Sequence, residues 1–130
     1  MNVVDSSAWL EYFGDEPNAA DFAPAVEDPE HLAVPTLTLF EVFKRTVQLK
    51  DEATALEAVG IMLQGHVVDL TPTLALEAAR VSLDHGLSLA DSVILATARA
   101  AGAVLWTQDA HFQGLDHVQF REKQPARPAG

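Results

Sequence analysis

A chain of 130 residues with 48% apolar and 21% charged residues has the length of one domain and enough apolar mass for one core, which excludes an intrinsically disordered chain. Nineteen acids against eight Lys and Arg leave a net charge of −11. That balance argues against non-specific nucleic-acid binding through a basic surface but leaves room for a local basic strip or a metal-mediated contact, and it suits a basic partner. The absence of cysteine removes disulfides, thiolate nucleophiles and cysteine-ligated metals.

Asn2-Val3-Val4 reads as a short buried strand ending at Asp5, and Ser6 to Phe13 as a helix stopped by Gly14 at the position after its last turn. Asp15 to Glu30 is acidic and carries Pro17, Pro24 and Pro29, so it reads as a loop or a short exposed helix. Leu32-Ala33-Val34 is a second strand, punctuated by Pro35. Thr36 or Thr38 is placed to cap a helix carrying Leu39, Phe40, Val42, Phe43 and Val47 to about Leu49. Asp51 starts another, with Leu56, Val59, Ile61 and Leu63, ended by Gly65. Val67-Val68-Asp69-Leu70 is a third strand. Thr71-Pro72 opens a helix in the favoured order of cap then proline, with Leu74, Leu76, Ala79 and Leu83, closing at Gly86. Ser88 opens a further helix through Ala101, stopped by Gly102. Ala103 to Thr107 is a fourth strand, and Val118-Gln119-Phe120 a fifth at an edge. Residues 1–123 therefore form one expected domain and 124–130 a loose tail. No run of about 18 apolar residues exists to span a membrane. The N-terminus lacks the basic region of a secretory signal, so the cytoplasm is the expected location.

Short apolar strands alternating with helices imply an α/β fold: a three-layer α/β/α sandwich around a parallel sheet of 4–5 strands. Ligands of such sheets bind beyond the carboxyl ends of the strands, at a switch point in strand order. Asp5 ends the first strand, Asp109 follows the fourth, Glu41 lies in the first turns of one helix and Asp91 in the first turn of another. All four belong to one edge of the sheet. Each also has a structural reading. Asp5 and Asp109 can cap or turn the chain, and Thr38-Leu39-Phe40-Glu41 and Ser88-Leu89-Ala90-Asp91 approximate capping boxes. Taken singly, those readings are the better ones. Taken together, clustered carboxylates next to a largely buried helix need a counter-charge, and no Lys or Arg adjoins Asp5, Asp91 or Asp109 in sequence. Mg²⁺ or Mn²⁺ is the cation such hard oxygen ligands suit.

Four segments carry a resemblance to a known family: Val3-Val4-Asp5-Ser6-Ser7-Ala8, Leu37-Thr38-Leu39-Phe40-Glu41-Val42, the stretch from Leu87-Ser88-Leu89-Ala90-Asp91 to Ala98, and Leu105-Trp106-Thr107-Gln108-Asp109-Ala110-His111-Phe112. In this order and spacing, the chain resembles the PIN-domain family over residues 1 to about 120, and within it the small VapC-like toxins of toxin–antitoxin pairs. The resemblance implies an acidic pocket binding Mg²⁺ or Mn²⁺ and metal-dependent hydrolysis of RNA phosphodiester bonds. It carries the family's acids onto Asp5, Glu41, Asp91 and Asp109 as metal ligands. It carries the hydroxyl after the last core strand onto Thr107, which would orient a carboxylate or a water, and a second hydroxyl onto Ser7. It further implies an RNA substrate, a homodimer, and a cognate antitoxin whose C-terminal segment lies across the pocket. No residue stands out as a separate general base, so activation of the attacking water falls to the metal.

Arg45, four residues beyond Glu41, shares its helix face and would neutralise that carboxylate or meet a phosphate, but reads equally as part of an exposed, salt-bridged helix face. Lys44 and Lys50 share the helix, whereas Arg99 reads as a surface residue. Arg121, Lys123 and Arg127 read as a solvated tail before they read as RNA contacts. Trp9 and Trp106 read as packing residues before base-stacking ones. His111, two residues past Asp109, is close enough for the pocket rim but reads as a surface or helix-start residue first. There is no His-Glu-x-x-His, Gly-rich phosphate loop or Gly-x-Ser-x-Gly. A receiver-like regulatory module fits poorly, because Asp69 does not end its expected strand. A haloacid-dehalogenase-type phosphatase needs Asp-x-Asp where this chain has Asp5-Ser6-Ser7. A PIN-like nuclease of RNA processing or DNA cleavage stays open.

Overall fold

The strands supply alternating side chains to two separate cores. In the computed structural model, which describes residues 1–126, Val3, Ala33 and Leu105 point into one apolar cluster. Val4, Leu32 and Val34 point into another. A period of two along buried strands requires cover on both faces. The cover is α1 (Ser6–Phe13), α2 (Ala19–Val26), α3 (Thr36–Leu49) and α4 (Glu52–Met62) on one side, and α5 (Pro72–His85) with α6 (Leu89–Ala100) on the other. The expected three-layer α/β/α sandwich is the observed one.

Five parallel strands, β1 (Asn2–Val4), β2 (Leu32–Pro35), β3 (His66–Val68), β4 (Val104–Thr107) and β5 (Val118–Phe120), lie in the order β3-β2-β1-β4-β5. The chain moves outward from β1 to β2 and β3, then returns to pair β4 against the other side of β1. The reversal of strand order, and with it the crevice, falls at β1 and β4.

Several local signals act as their chemistry requires. Thr71 Oγ1 accepts from the Leu74 N–H and opens α5 ahead of Pro72. Gly86 closes the helix at φ 67, a conformation glycine adopts without Cβ strain. Ser88 Oγ caps α6 through the Asp91 N–H, and Asp51 caps α4 through the Thr54 N–H.

Other expectations are corrected. Gly14 is right-handed at φ −80, and the left-handed residue after α1 is Asp15 at φ 49. The acidic stretch 15–30 contains α2, which is not an exposed helix: Ala19, Phe22, Ala25 and Val26 fall on one face and are buried against the sheet. Neither Thr36 nor Thr38 caps α3. Pro35 occupies the cap without a side-chain bond, and the Thr38 hydroxyl donates back to the Pro35 carbonyl. In α4 the buried residues are Ala55, Ala58 and Met62, while Leu56, Ile61 and Leu63 face outward. Small side chains let α4 approach α3 closely, and the longer apolar ones are turned outward. β3 is shifted to His66–Val68, so Asp69 directly follows it, but as an exposed residue beside an edge strand. Leu76, Leu83 and Leu89 are exposed, against the expected apolar stripes of α5 and α6. Trp9 is fully buried and stacks on Phe13 at 5.6 Å between ring centroids. The tail expected over 124–130 lies partly outside the described residues, as does Arg127.

Candidate active site

Strand β1 ends at Asp5, whose extended backbone (φ −65, ψ 155) turns the chain into α1. Its N–H donates to the Trp106 carbonyl at 2.9 Å, which ties the ends of β1 and β4 together. The side chain is 3% exposed, and one of its oxygens does most of the work. Asp5 Oδ2 accepts from Ser7 Oγ at 2.6 Å, from the Ser7 N–H at 3.3 Å and from Thr107 Oγ1 at 2.9 Å. These bonds favour the ionised form. Burial outweighs them and, with the neighbouring charges of Asp91 and Asp109, pushes the carboxyl up from 3.8 to about 6.

Thr107 is the joint between two of the acids. Fully buried at the end of β4, its hydroxyl donates to Asp5 and accepts from the Asp109 N–H at 2.9 Å. Asp109 then caps the 3-10 turn Ala110–Phe112 by accepting from the His111 N–H. Asp91 arrives on the first turn of α6. Burial and the charge of Asp109 raise its pKa; its interactions with His111 and the bond to Ser88 act the other way.

His111 stands between these two acids, its Nδ1 3.4 Å from Asp91 Oδ2 and 3.3 Å from Asp109 Oδ1. One ligand atom each from Asp91, Asp109 and His111 lies within 4.8 Å of the others. The His111 ring is 74% exposed, so it is both the surface residue that the sequence suggests first and a residue at the rim of the acids.

Three of the four acids, Asp5, Asp91 and Asp109, are thus in mutual electrostatic contact. Glu41 is placed differently. It does not close a capping box; its Oε1 accepts from Ser6 Oγ at 2.7 Å, so it is anchored to the residue next to Asp5. It lines a groove of about 340 Å³ with Phe40, Lys44 and Arg45. A larger groove of about 540 Å³ ends at Ser7 and Gln108.

Sequence reasoning missed the polar support behind the acids. Glu11, 4% exposed, accepts from the Asn18 N–H and from Gln108 Nε2. Asn18 Nδ2 in turn donates to Gln108 Oε1 and to the Glu122 carbonyl. The Gln108 N–H donates to Ser7 Oγ at 3.3 Å. The available signal was spacing: Glu11 lies four residues after Ser7 and so on the same face of α1.

Chemically, this is an edge of converging carboxylates with no cationic side chain of its own. Among the described residues, no Lys or Arg lies in salt-bridge range of any carboxylate; the ion pairs found involve His31 and His111. A hard divalent cation is the group that such a donor set fits.

A family model described as "PIN domain" matches residues 3–118. The fold is shared with solved structures of low identity. A toxin–antitoxin complex from Klebsiella pneumoniae is 20% identical, with a TM-score of 0.77 over 92% of this chain and 96% of that one. VapC20 of Mycobacterium tuberculosis, described as a toxin cleaving the sarcin–ricin loop, is 21% identical, with a TM-score of 0.75 over 96% of this chain and all of that one (100%). PAE2754 of Pyrobaculum aerophilum is 27% identical, with a TM-score of 0.62 over 85% of this chain and 75% of that one. No curated relative matches the chain by sequence.

Proposed function

Because the chain belongs to the PIN-domain family, we propose that it is a divalent-metal-dependent endoribonuclease and the toxin of a toxin–antitoxin pair, with residues 1–123 as the nuclease domain. The observation that carries the reading is the set of three adjoining carboxylates without a Lys or Arg partner, the innermost of them raised to about 6 by burial and its neighbours. An enzyme that worked without a cation would gain nothing from holding that arrangement, because each ionised oxygen there raises the cost of the next.

Asp5, Asp91 and Asp109 would hold Mg²⁺ or Mn²⁺, with Glu41 entering from α3. When bound, the cation supplies charge for the scissile phosphoryl oxygen and lowers the pKa of water. The rest falls to the chain. Thr107 and Ser7 fix one oxygen of Asp5 by donating to it, so Asp5 would be held in one orientation as it binds the cation. The Thr107 hydroxyl also fixes the backbone at Asp109. His111 stands at the rim, its Nδ1 within 3.4 Å of Asp91 Oδ2 and 3.3 Å of Asp109 Oδ1.

The toxin reading is supported by the fold shared with structures described as toxin–antitoxin complexes and as an RNA-cleaving toxin. On that reading the partners are an RNA substrate, a cognate antitoxin and a second copy of the chain, and the setting is the cytoplasm. Among the described residues no helix is long and apolar enough to cross a membrane.

The test is cleavage of structured RNAs by the purified protein with Mg²⁺ or Mn²⁺. Cleavage should vanish with EDTA and fall by about 100-fold or more in Asp5→Asn and Asp91→Asn proteins that retain the fold. Full activity in both variants would sink the reading.

A further inference from the structure

The groove of about 540 Å³ that ends at Ser7 and Gln108 is lined by Arg45, Lys50 and Lys123. These are three of only eight Lys and Arg in a chain of net charge −11. In such a chain a cation has many acids to pair with. Yet among the described residues none of the three is in a salt bridge, and Arg45 reaches only the neutral amide of Gln48 at 3.4 Å.

The acids that line the groove do not cancel these charges. Glu11 is buried, with both oxygens already accepting from Asn18 and Gln108, which leaves Glu16 as the one other acid on the wall. Lys123 is brought there by design of the surrounding contacts. Asn18 Nδ2 holds the Glu122 carbonyl at 2.9 Å, and the Arg121 guanidinium lies over the Trp106 ring at 5.5 Å. The C-terminal segment is thereby strapped along the groove.

The groove adjoins the acids through Ser7, which lines it and whose hydroxyl donates to Asp5 at 2.6 Å. A polyanionic strand lying in it would place one phosphate at the carboxylates and the phosphates next to it among the three cations.

We propose that Arg45, Lys50 and Lys123 form a subsite for the phosphodiester backbone flanking the scissile bond, positioning a single-stranded substrate for the acids at Asp5. This rests on the nuclease reading above. The three are positioning residues: they act on the strand and not at the reacting phosphate.

The experiment uses the full chain with Lys50→Gln and Lys123→Gln combined, two exposed positions outside the acidic cluster, and a fluorescein-labelled single-stranded RNA. The double variant should keep the wild-type thermal shift on Mn²⁺ addition and a kcat within about twofold of wild type, with KM raised by about tenfold. Binding should also lose salt dependence. At about 0.7 of logarithmic slope per phosphate contact, two lost contacts make the weakening between 50 and 200 mM salt about sevenfold smaller. Wild-type KM and salt response in the double variant, with cleavage by both proteins, would overturn the subsite and leave the nuclease reading standing. A wild-type protein that does not bind this RNA would overturn the subsite, and one that also leaves the structured RNAs uncut would overturn both.

Discussion

Replacing Asp5 with Asn should make the metal-free protein more stable, although it removes a residue at the centre of the candidate site. Asp5 is raised from 3.8 to about 6, so between those values the folded state holds a proton that the unfolded state has released. Stability then falls as pH rises through that window. The cost of ionised Asp5 is about 3 kcal/mol at pH 7.5, about half of that at pH 5, and under about 1 kcal/mol at pH 4. An Asn side chain keeps the acceptor for Ser7 and Thr107 and carries no charge. After a loss for its less matched amide, about 1–2 kcal/mol of stabilisation remains, or about 4–8 °C in Tm for a domain of this size. The assay is thermal and urea unfolding in EDTA at pH 7.5 and pH 4. The gain should appear at the first and nearly disappear at the second. With excess Mn²⁺ at pH 7.5 the order should invert, because wild type gains binding energy that the variant lacks. A variant less stable than wild type in EDTA at pH 7.5, or equally more stable at both pH values, would refute the claim that the site is electrostatically frustrated when empty.

Three further outcomes follow from particular contacts. Thr107→Val removes the donor to Asp5 and orphans the Asp109 N–H; RNA cleavage should fall about 10- to 100-fold, and Thr107→Ser should restore most of it. Gly86→Ala meets no atom within 4 Å but must hold φ 67, so denaturation should report about 1 kcal/mol lost. Gly65→Ala would bring a Cβ to 2.9 Å from the Leu32 carbonyl; backbone cannot swing aside, and the loss should exceed that at Gly86.

Legibility in the sequence depended on how far a residue's partner lies along the chain. Thr71-Pro72, Ser88 and Asp51 were readable because each bonds an N–H three residues on. Asp5, Asp91 and Asp109 were readable as a group because a parallel sheet sends strand ends and helix starts to one edge. What escaped was decided by distant packing. Leu56, Ile61 and Leu63 carry as strong an apolar signal as Met62, and only the proximity of α3 selects Ala55, Ala58 and Met62 as the inner face. Phe22, Ala25 and Val26 are masked by the prolines and acids around them, yet they fill the core beneath β1. The support of Glu11 depends on Gln108, separated from it by 97 positions. Thr38 misled in the other direction: an apparent capping box with Glu41 is undone because Ser6 claims that carboxylate.

The bond between Asp5 and Thr107 joins residues 102 positions apart. A polypeptide leaving the ribosome therefore exposes Asp5 a full 102 residues ahead of Thr107. Until β4 slots in beside β1, the candidate site that these two residues share is not assembled. For a chain whose proposed activity is dangerous to the cell that makes it, this topology ties the hazard to completion of the sheet and leaves an interval in which a neutralising protein can be waiting.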